Sequence, residues 1–309
     1  MSVQKQDGVY PLGLATFRGR VDLVRLLLHH GAEVDTYGPG GPTALHTACV
    51  GDHFVLVQTL IAAGADLNKR DEGDQGPLHW LARRGSVKFI QTLVCTRRPC
   101  HMSHFVPSLG STPSCPRVSQ ILKYLIQAGS RLDARDPDGY TPLHYAADAG
   151  NLPILHELVR AGSSHAWLSN TGQTPLAVAC LTGDPGCVKY LLDKCKADPG
   201  AGDGVGYTPL AIAAQHGHFE AVAMLLKFGV SRLGPNAYRD ALTGIAMAGN
   251  VRMIRELVRV EGGVHVKGAL TSAKMTPLHY TAGYCHPLAT SVLLEAGVDE
   301  NAADNKGKT

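Results

Sequence analysis

Histidine and cysteine are the residues of this 309-residue chain best suited to acid–base, metal or thiol chemistry, and it has 15 and 8 of them. Four histidines share one position, the fourth residue of a recurring tetrapeptide related to Thr-Pro-Leu-His: they are His46, His79, His144 and His279. A catalytic histidine works beside a nucleophile and an orienting carboxylate. The sequence has no nucleophile-elbow motif and no His-Glu-x-x-His motif, so we predict no catalytic residue and no enzyme.

A second group of possible ligands lies in one short segment. Cys95, Cys100, His101, His104 and Cys115 have the spacing C-x4-C-H-x2-H-x10-C. This spacing lacks the paired C-x2-C knuckles that are typical of structural zinc sites. We therefore predict no metal and no cofactor.

The other cysteines indicate a compartment rather than a reaction. Cys49 and Cys180 fall where the repeated pattern has a small residue, so we expect buried thiols that pack as small hydrophobic groups. The irregular spacing of the cysteines and the polar first residues favour a reducing compartment. We therefore expect a cytoplasmic or nuclear protein that is not secreted.

The tetrapeptide recurs at a nearly fixed interval. Its copies begin at Tyr10, Thr43, Gly76, Thr141, Thr174, Thr208, Asp240 (a degenerate copy) and Thr276. The steps are 33, 33, 65, 33, 34, 32 and 36 residues. A period near 33 indicates an array of small stacked units rather than one globular core.

Each copy has the local signals of a helix pair. In the unit that begins at Thr141, Pro142 suits the first turn of a helix and Thr141 can cap it. Gly150 can end that helix, and the apolar stripe from Ile154 to Val159 predicts a second one. One such unit cannot bury its apolar face alone, so stacking on neighbours must bury it.

This unit, TPLHYAADAGNLPILHELVRAGSSHAWLSNTGQ, resembles the ankyrin repeat, and the resemblance covers nearly the whole chain. It implies an all-α solenoid of stacked helix-turn-helix units with finger loops and right-handed superhelical curvature. It implies that His46, His79, His144 and His279 fasten turns. Ankyrin arrays bind unrelated partners, so the architecture does not name one.

The repeat pattern divides the chain into three parts. Residues 8–94 hold units one to three, residues 95–117 form an irregular Cys/His/Pro/Ser-rich loop or degenerate unit, and residues 118–309 hold further units, the last without a clear cap. The 65-residue step has two interpretations. Either a fourth unit has lost its first helix, or one unit carries an insertion, with helices at 76–85 and 118–127. The prolines and serines of the segment favour the insertion.

Charge and hydropathy exclude two kinds of partner. The formal net charge is only +3, which does not predict nucleic-acid binding. The sequence contains no run of 18 or more apolar residues, so it predicts no membrane-spanning helix. We expect a monomer that binds proteins.

In ankyrin-like arrays a concave face is built from finger tips and from exposed positions at the ends of the first helices. The positions that match, and that carry aromatic, charged or polar side chains of the kind found in binding hot spots, are Phe17, Arg18, Arg83, Arg84, Tyr140, Asp148, Tyr207, Gln215, His216, Arg239 and Tyr284. Arg18, Arg83 and Arg84 form a basic stretch suited to an acidic peptide.

The resemblance also implies a modification. An asparaginyl hydroxylase of ankyrin proteins favours Leu eight residues before and an acidic residue two before its target. Leu60, Asp66 and Asn68 fit this spacing, as do Leu293, Asp299 and Asn301. The simpler interpretation is that Asn68 stabilises its finger turn.

We therefore expect a non-catalytic protein-interaction scaffold. The alternative is a targeting or regulatory segment of a larger protein, such as a ubiquitin-ligase substrate receptor, a kinase-linked protein or a channel.

Overall fold

The chain is described here from a computed structural model that covers residues 10–37, 41–83, 116–228, 237–259, 271 and 274–308. The chain forms two compact bodies, Met1–Ser169 and Asn170–Thr309. The described residues contain 16 α-helices and no strand, which confirms the all-α prediction.

The helices come in pairs, one pair for each copy of the tetrapeptide. Those of the first body are α1 (Pro11–Phe17), α2 (Val21–His29), α3 (Ala44–Val50), α4 (Phe54–Ala62), α5 (Pro77–Ala82), α6 (Pro116–Gln127), α7 (Pro142–Asp148) and α8 (Leu152–Arg160). Those of the second body are α9 (Pro175–Thr182), α10 (Pro185–Asp193), α11 (Pro209–Gln215), α12 (Phe219–Lys227), α13 (Ala237–Ala248), α14 (Val251–Arg259), α15 (Pro277–Gly283) and α16 (Pro287–Glu295).

The tetrapeptide determines where the first helix of each pair begins. Proline occupies the first turn of α7, α9, α11 and α15, where its missing N–H costs no hydrogen bond. The preceding threonine is extended and caps the helix. Thr174 Oγ1, for example, accepts a hydrogen bond from Ala177 N at 3.1 Å.

The pairs stack into two layers within each body. In the first body the odd-numbered inner helices α1, α3, α5 and α7 contact one another in order, and the outer helices α2, α4, α6 and α8 do the same. In the second body α9, α11, α13 and α15 form the inner layer. Leucines such as Leu45, Leu143 and Leu176 are fully buried between the layers, each worth roughly 1.5–3 kcal/mol of burial.

The helix contacts around the long step in the repeat bear on its two interpretations. α5 packs against inner helices α3 and α7, whereas α6 packs against outer helices α4 and α8, and α5 and α6 contact each other. The two helices thus contact each other as the two helices of one unit do. Among the described helices, α5 contacts the next inner helix, α7, directly. These contacts favour the insertion; residues 84–115 themselves lie outside the described part of the chain.

Two helix boundaries differ from the sequence-based expectation. α6 begins at Pro116 rather than at 118, because proline suits a first helical turn as well as a loop. α13 begins at Ala237, so Asp240 lies inside a helix and not at its turn. The stretch Ala-Tyr-Arg-Asp-Ala-Leu lacks the usual Thr-Pro pair, and nothing in it stops the helix from starting one turn early.

Within the described residues, none of the helices is long and apolar enough to cross a membrane.

Candidate functional site

Three of the tetrapeptide histidines, His46, His79 and His279, are hydrogen-bonded on both sides of the ring. In His46, Nδ1 accepts a bond from Thr43 N at 3.2 Å and Nε2 lies 3.0 Å from Gln75 O in the next finger. His79 repeats this with Gly76 N at 3.1 Å and Ala134 O at 2.9 Å. Since Nδ1 accepts a backbone N–H, the neutral tautomer with hydrogen on Nε2 fits this geometry.

Burial favours the neutral form of two of these rings. It lowers the pKa of His46 to about 4 and also lowers the pKa of His79. His144 and His279 accept bonds from Thr141 N at 3.2 Å and Thr276 N at 3.1 Å in the same way. The rings of His46 and His79 thus join their own turns to the next finger, and His279 Nε2 lies 3.3 Å from Lys308 O.

A second set of histidines joins units at the opposite end of the inner helices. The rings of His53, His218 and His286 each lie over a glycine of the preceding unit, which has a positive φ. A Cβ added to Gly183 would lie 2.1 Å from His218 Nδ1, and His218 Nε2 lies 2.9 Å from Leu181 O. Only glycine leaves room for this contact.

An aspartate closes several of the fingers. Asp71, Asp136 and Asp203 stand five positions before the start of a tetrapeptide, and Asp304 stands five positions before Thr309. The backbone N–H of each donates to the carbonyl four residues later at 2.8–3.0 Å. The carboxylate also accepts from that later residue's N–H, as in Asp136 Oδ1 with Tyr140 N at 2.8 Å. We call these residues the finger aspartates.

In the first body a finger aspartate also holds a side-chain network. Asp136, which is buried, accepts hydrogen bonds from Tyr145 OH at 2.5 Å and from Gln75 Nε2 at 3.3 Å. Arg83 Nη1 donates to Gln75 Oε1 at 2.9 Å, and the Arg83 guanidinium lies 4.8 Å from the centre of the Tyr145 ring. Burial and the bond to Asp136 raise the pKa of Tyr145, which keeps it a neutral donor.

The preceding finger has a smaller version of this network. Asp71 Oδ2 accepts from Trp80 Nε1 at 2.7 Å, and Trp80 packs edge-on against His46 with ring centres 5.5 Å apart. Trp80 and Tyr145 occupy the same position of successive inner helices, one residue after the tetrapeptide histidine. Each aspartate therefore fixes an aromatic ring of its own unit.

In each body, the ends of the inner helices and the fingers form a surface that we call the inner surface. The predicted binding residues of the first body lie on it. Phe17, Arg83, Tyr140 and Asp148 are half-buried and Arg18 is exposed. Arg83 is already held by Gln75 and Tyr145. Replacing Arg83 by Glu is therefore expected to lower stability as well as to change binding. Arg84 lies outside the described residues.

The predicted residues of the second body are more exposed. Tyr207 is 39% and Tyr284 is 55% exposed, and Gln215 and His216 are exposed too. The bond of His286 Nε2 to Met247 O, at 2.9 Å, brings the end of α15 beside Met247. Tyr284 stacks on His286, with ring centres 6.5 Å apart.

Arg239, which the repeat pattern placed at the end of a finger directly before the turn, does not lie there. Arg239 lies inside α13 and pairs with Asp240, Nη2 to Oδ1 at 2.9 Å. The helix starts before the degenerate tetrapeptide and takes up the residues that would have formed the end of the finger.

Sequence reasoning missed Trp167 and Leu168, which are 40% and 47% exposed on a finger of the first body. Arg135 holds them: its guanidinium lies 5.7 Å from the Trp167 ring centre and Nη2 donates to Leu168 O at 3.0 Å. Tryptophan is rare in this chain, with 2 copies, and its place in a loop was the available signal.

Asn68 is engaged in the finger. Its Oδ1 accepts from Arg131 N of the next unit at 2.8 Å, and its own N–H donates to Asp66 Oδ1 at 2.8 Å. Asn301 makes the same local bond to Asp299, at 2.9 Å. The side chain of Asn68 thus joins two units, and its hydroxylation stays a prediction.

Metal and thiol chemistry can be compared with the structure only in part. Cys95, Cys100, His101, His104 and Cys115 lie outside the described residues. The described part of the chain holds no group of three or more side chains that could bind a metal. Cys49 and Cys180 are fully buried, and burial raises the pKa of both thiols.

Comparison with known proteins agrees with the repeated geometry. The family described as Ankyrin repeats (3 copies) matches residues 1–71, 117–203 and 148–236. The chain is 30% identical over 246 residues to "Transient receptor potential cation channel subfamily A member 1" of Drosophila melanogaster, covering 74% of this chain and 20% of that protein.

Two further relatives are similar over most of this chain. "Ankyrin repeat and SOCS box protein 16" of Homo sapiens is 30% identical over 234 residues, 73% of this chain and 44% of that protein. "Inversin" of Canis lupus familiaris is 27% identical over 219 residues, 67% of this chain and 20% of that protein. The chain thus spans less than half the length of these relatives. Eight helix pairs in phase with the tetrapeptide, together with the family match, show that the chain belongs to the ankyrin repeat family.

Proposed function

We propose that this chain is a non-catalytic scaffold that holds a protein partner on its inner surface. The observation that carries the proposal is the exposure of apolar and aromatic side chains there, above all Tyr207, Met247 and Tyr284 at 39%, 40% and 55%. Tyrosine is enriched in binding hot spots because it buries a large rigid ring and keeps a polar tip. The tetrapeptide histidines, by contrast, are engaged in hydrogen bonds of their own turns.

Site-specific photo-crosslinking tests this proposal. A photoreactive phenylalanine placed at Tyr207 or Tyr284 is expected to capture a protein in cell extract. The same group at Leu288, which is 71% exposed on outer helix α16, is the matched control and is expected to capture little. Equal capture from Leu288, or none from the tyrosines, contradicts the proposal.

The alternative function is a targeting or regulatory segment within a larger protein. This chain spans only 20% of the length of the channel protein and 44% of the length of the SOCS box protein. These small shares favour the alternative. An immunoblot with an antibody against the array tests it. A native protein much larger than 309 residues supports the alternative, and one of that size contradicts it.

The remaining expectations belong to the same proposal: a monomer in the cytoplasm or nucleus, without a nucleic-acid partner. The small net charge of +3 and the buried thiols support it. Hydroxylation of Asn68 is included because its spacing from Leu60 and Asp66 fits. Mass spectrometry of native protein is expected to find one added oxygen on the Asn68 peptide, and an unmodified peptide contradicts this.

A further inference from the structure

Outer helix α14 of the second body carries three arginines, Arg252, Arg255 and Arg259, which we call the arginine stripe. They are spaced three and four residues apart, so they lie on one face of the helix. All three are exposed, and every other residue of α14 is buried or half-buried. The solvent-facing side of this helix is therefore mainly guanidinium groups.

The fold does not require arginine at these positions. They stand 12, 15 and 19 places after Asp240, the start of the degenerate tetrapeptide. At the first of these places other outer helices have Val55, Pro153 or Glu220. Among the described outer helices, α14 alone has Lys or Arg at all three places. The arginine stripe is thus a property of this unit and not of the repeat.

Two of the three guanidinium groups have donors available for a ligand. Arg259 Nη1 donates to Glu256 Oε1 at 3.1 Å. The Arg252 guanidinium lies 4.1 Å from the centre of the Phe219 ring, a contact that orients it without using an N–H. Neither Arg252 nor Arg255 forms a hydrogen bond or ion pair in the part of the chain that the structure describes.

The neighbouring outer helices limit the kind of anion that fits the stripe. α14 packs against α16 and touches α12 through the contact of Arg252 with Phe219. Glu220 of α12 and Glu295 of α16 are exposed carboxylates. A wide polyanion, such as a membrane surface or a nucleic-acid duplex, would be repelled by them, since like charges brought together cost free energy. A narrow acidic segment that follows α14 avoids both.

The sequence of the second body offers no acidic segment of its own for the stripe from outside the described residues. Residues 229–236, 260–270 and 272–273 contain one acidic residue, Glu261, and two basic ones, Arg232 and Lys267. The complementary carboxylates must therefore come from another molecule.

We propose that the arginine stripe binds a short acidic segment of a partner protein. A guanidinium pairs with a carboxylate through two parallel N–H···O bonds, which gives direction as well as attraction. Arg252 and Arg259 are separated by about 10 Å along the helix, a distance that roughly three residues of extended chain span. The stripe lies on the outer layer, so it is a second surface beside the inner one and does not depend on it.

Fluorescence anisotropy with a labelled oligoglutamate peptide and the whole purified chain tests the proposal. We expect oligoglutamate to bind, an oligoglutamine peptide not to bind, and the affinity for oligoglutamate to fall as sodium chloride is raised. The double variant Arg252→Gln/Arg255→Gln is expected to weaken binding by about three- to tenfold, as the loss of exposed ion pairs does.

The matched control is Arg25→Gln/Arg160→Gln, which removes the same charge from exposed outer positions of the first body and is expected to leave affinity unchanged. Arg255→Lys keeps the charge but loses the paired donors, so it is expected to weaken binding less than Arg255→Gln. Circular dichroism melting of each variant separates lost binding from lost folding.

Three outcomes overturn the inference. Oligoglutamate that fails to bind, or that binds Arg252→Gln/Arg255→Gln as well as the unchanged chain, removes the stripe as a site. An equal loss in the control shows a response to net charge alone. Duplex DNA or phosphatidylserine vesicles that bind more tightly than oligoglutamate, and are lost in Arg252→Gln/Arg255→Gln, replace the acidic segment as the ligand. The scaffold function of the inner surface stands in each case, because crosslinking at Tyr207 and Tyr284 tests it separately.

Discussion

The finger aspartates make different contacts in the two bodies. In the first body Asp71 and Asp136 accept from Trp80 and Tyr145, and the aromatic rings become part of the fold. In the second body Asp203 accepts only from backbone N–H groups, those of Val205 and Tyr207 at 3.0 and 2.8 Å. The residue that matches Tyr145 there is Ile212, which has no donor.

The residue directly after the tetrapeptide therefore decides whether the finger aspartate forms a side-chain hydrogen bond to the inner helix. Where the inner helix supplies an aromatic donor, the aspartate orders the inner surface before any partner arrives. Where it supplies an aliphatic residue, the finger keeps its turn and Tyr207 stays 39% exposed. The first body thus presents an ordered polar surface and the second an exposed apolar one.

The largest effect is expected from removing the carboxylate of Asp136. Asp136→Ala leaves the buried Tyr145 OH without its acceptor, although Gln75 Nε2 keeps its bond to Tyr145 OH at 2.6 Å, and should lower local stability by about 2–3 kcal/mol. Asp203→Ala, the matched change in the second body, should cost about 1 kcal/mol or less. Hydrogen exchange measured on peptides of each finger tests both, and equal losses would remove the distinction between the bodies.

In the second body, the imidazole of His218 packs directly on Gly183 and connects two repeat units. Gly183→Ala places a Cβ 2.1 Å from His218 Nδ1 at a φ of +77° and should cost about 2–3 kcal/mol. Gly217→Ala is the control, since its φ is +76° with nothing within 4 Å, and it should cost about 1–2 kcal/mol. Urea unfolding compares them. If the imidazole contact matters, adding His218→Ala should recover part of the loss in Gly183→Ala.

Lowering the pH should lower the free energy of unfolding of the first body, because His46 is buried in its neutral form. Its pKa in the folded chain is about 4 and that of an unfolded histidine is about 6.5, so the folded state binds fewer protons between these values. The stabilisation is complete above pH 6.5 and is lost as pH falls toward 4, by roughly 1–2 kcal/mol at pH 5. Both tryptophans lie in the first body, so their fluorescence during urea unfolding reports it. A Trp signal whose midpoint does not change from pH 7 to pH 5 would contradict the assignment.

The smallest effect on stability is expected where the inner surface is exposed. Tyr207→Ala should change the free energy of unfolding by no more than about 0.5 kcal/mol, because the ring supports no network. Tyr145→Ala, by contrast, removes a ring held by Asp136 and Arg83 and should be clearly destabilising. Thermal melts of the two variants compare their stabilities. A large loss of stability in Tyr207→Ala would mean that the Tyr207 ring does support its finger.

The sequence predicted the local features that recur in each repeat, such as helix starts, helix caps and turn-spanning histidines. Pro142 and Pro277 begin helices, Thr174 caps one, and His46 spans a turn, since each depends on residues only a few positions away. It did not predict the bond from Gln75 to Asp136, because those residues meet only after units stack across the long step. Arg239 was misplaced because a helix that starts one turn early leaves no mark in a degenerate copy.

The divided unit has a consequence for the order of folding. Residues 149–151 connect α7 to α8, whereas residues 83–115 separate α5 from α6. A closing segment about ten times longer raises the entropic cost of pairing the two helices by about 2 kcal/mol. In a linear array each unit gains stability mainly from its neighbours. We therefore expect folding to begin on either side of α5 and α6, and this pair to close last and to open first.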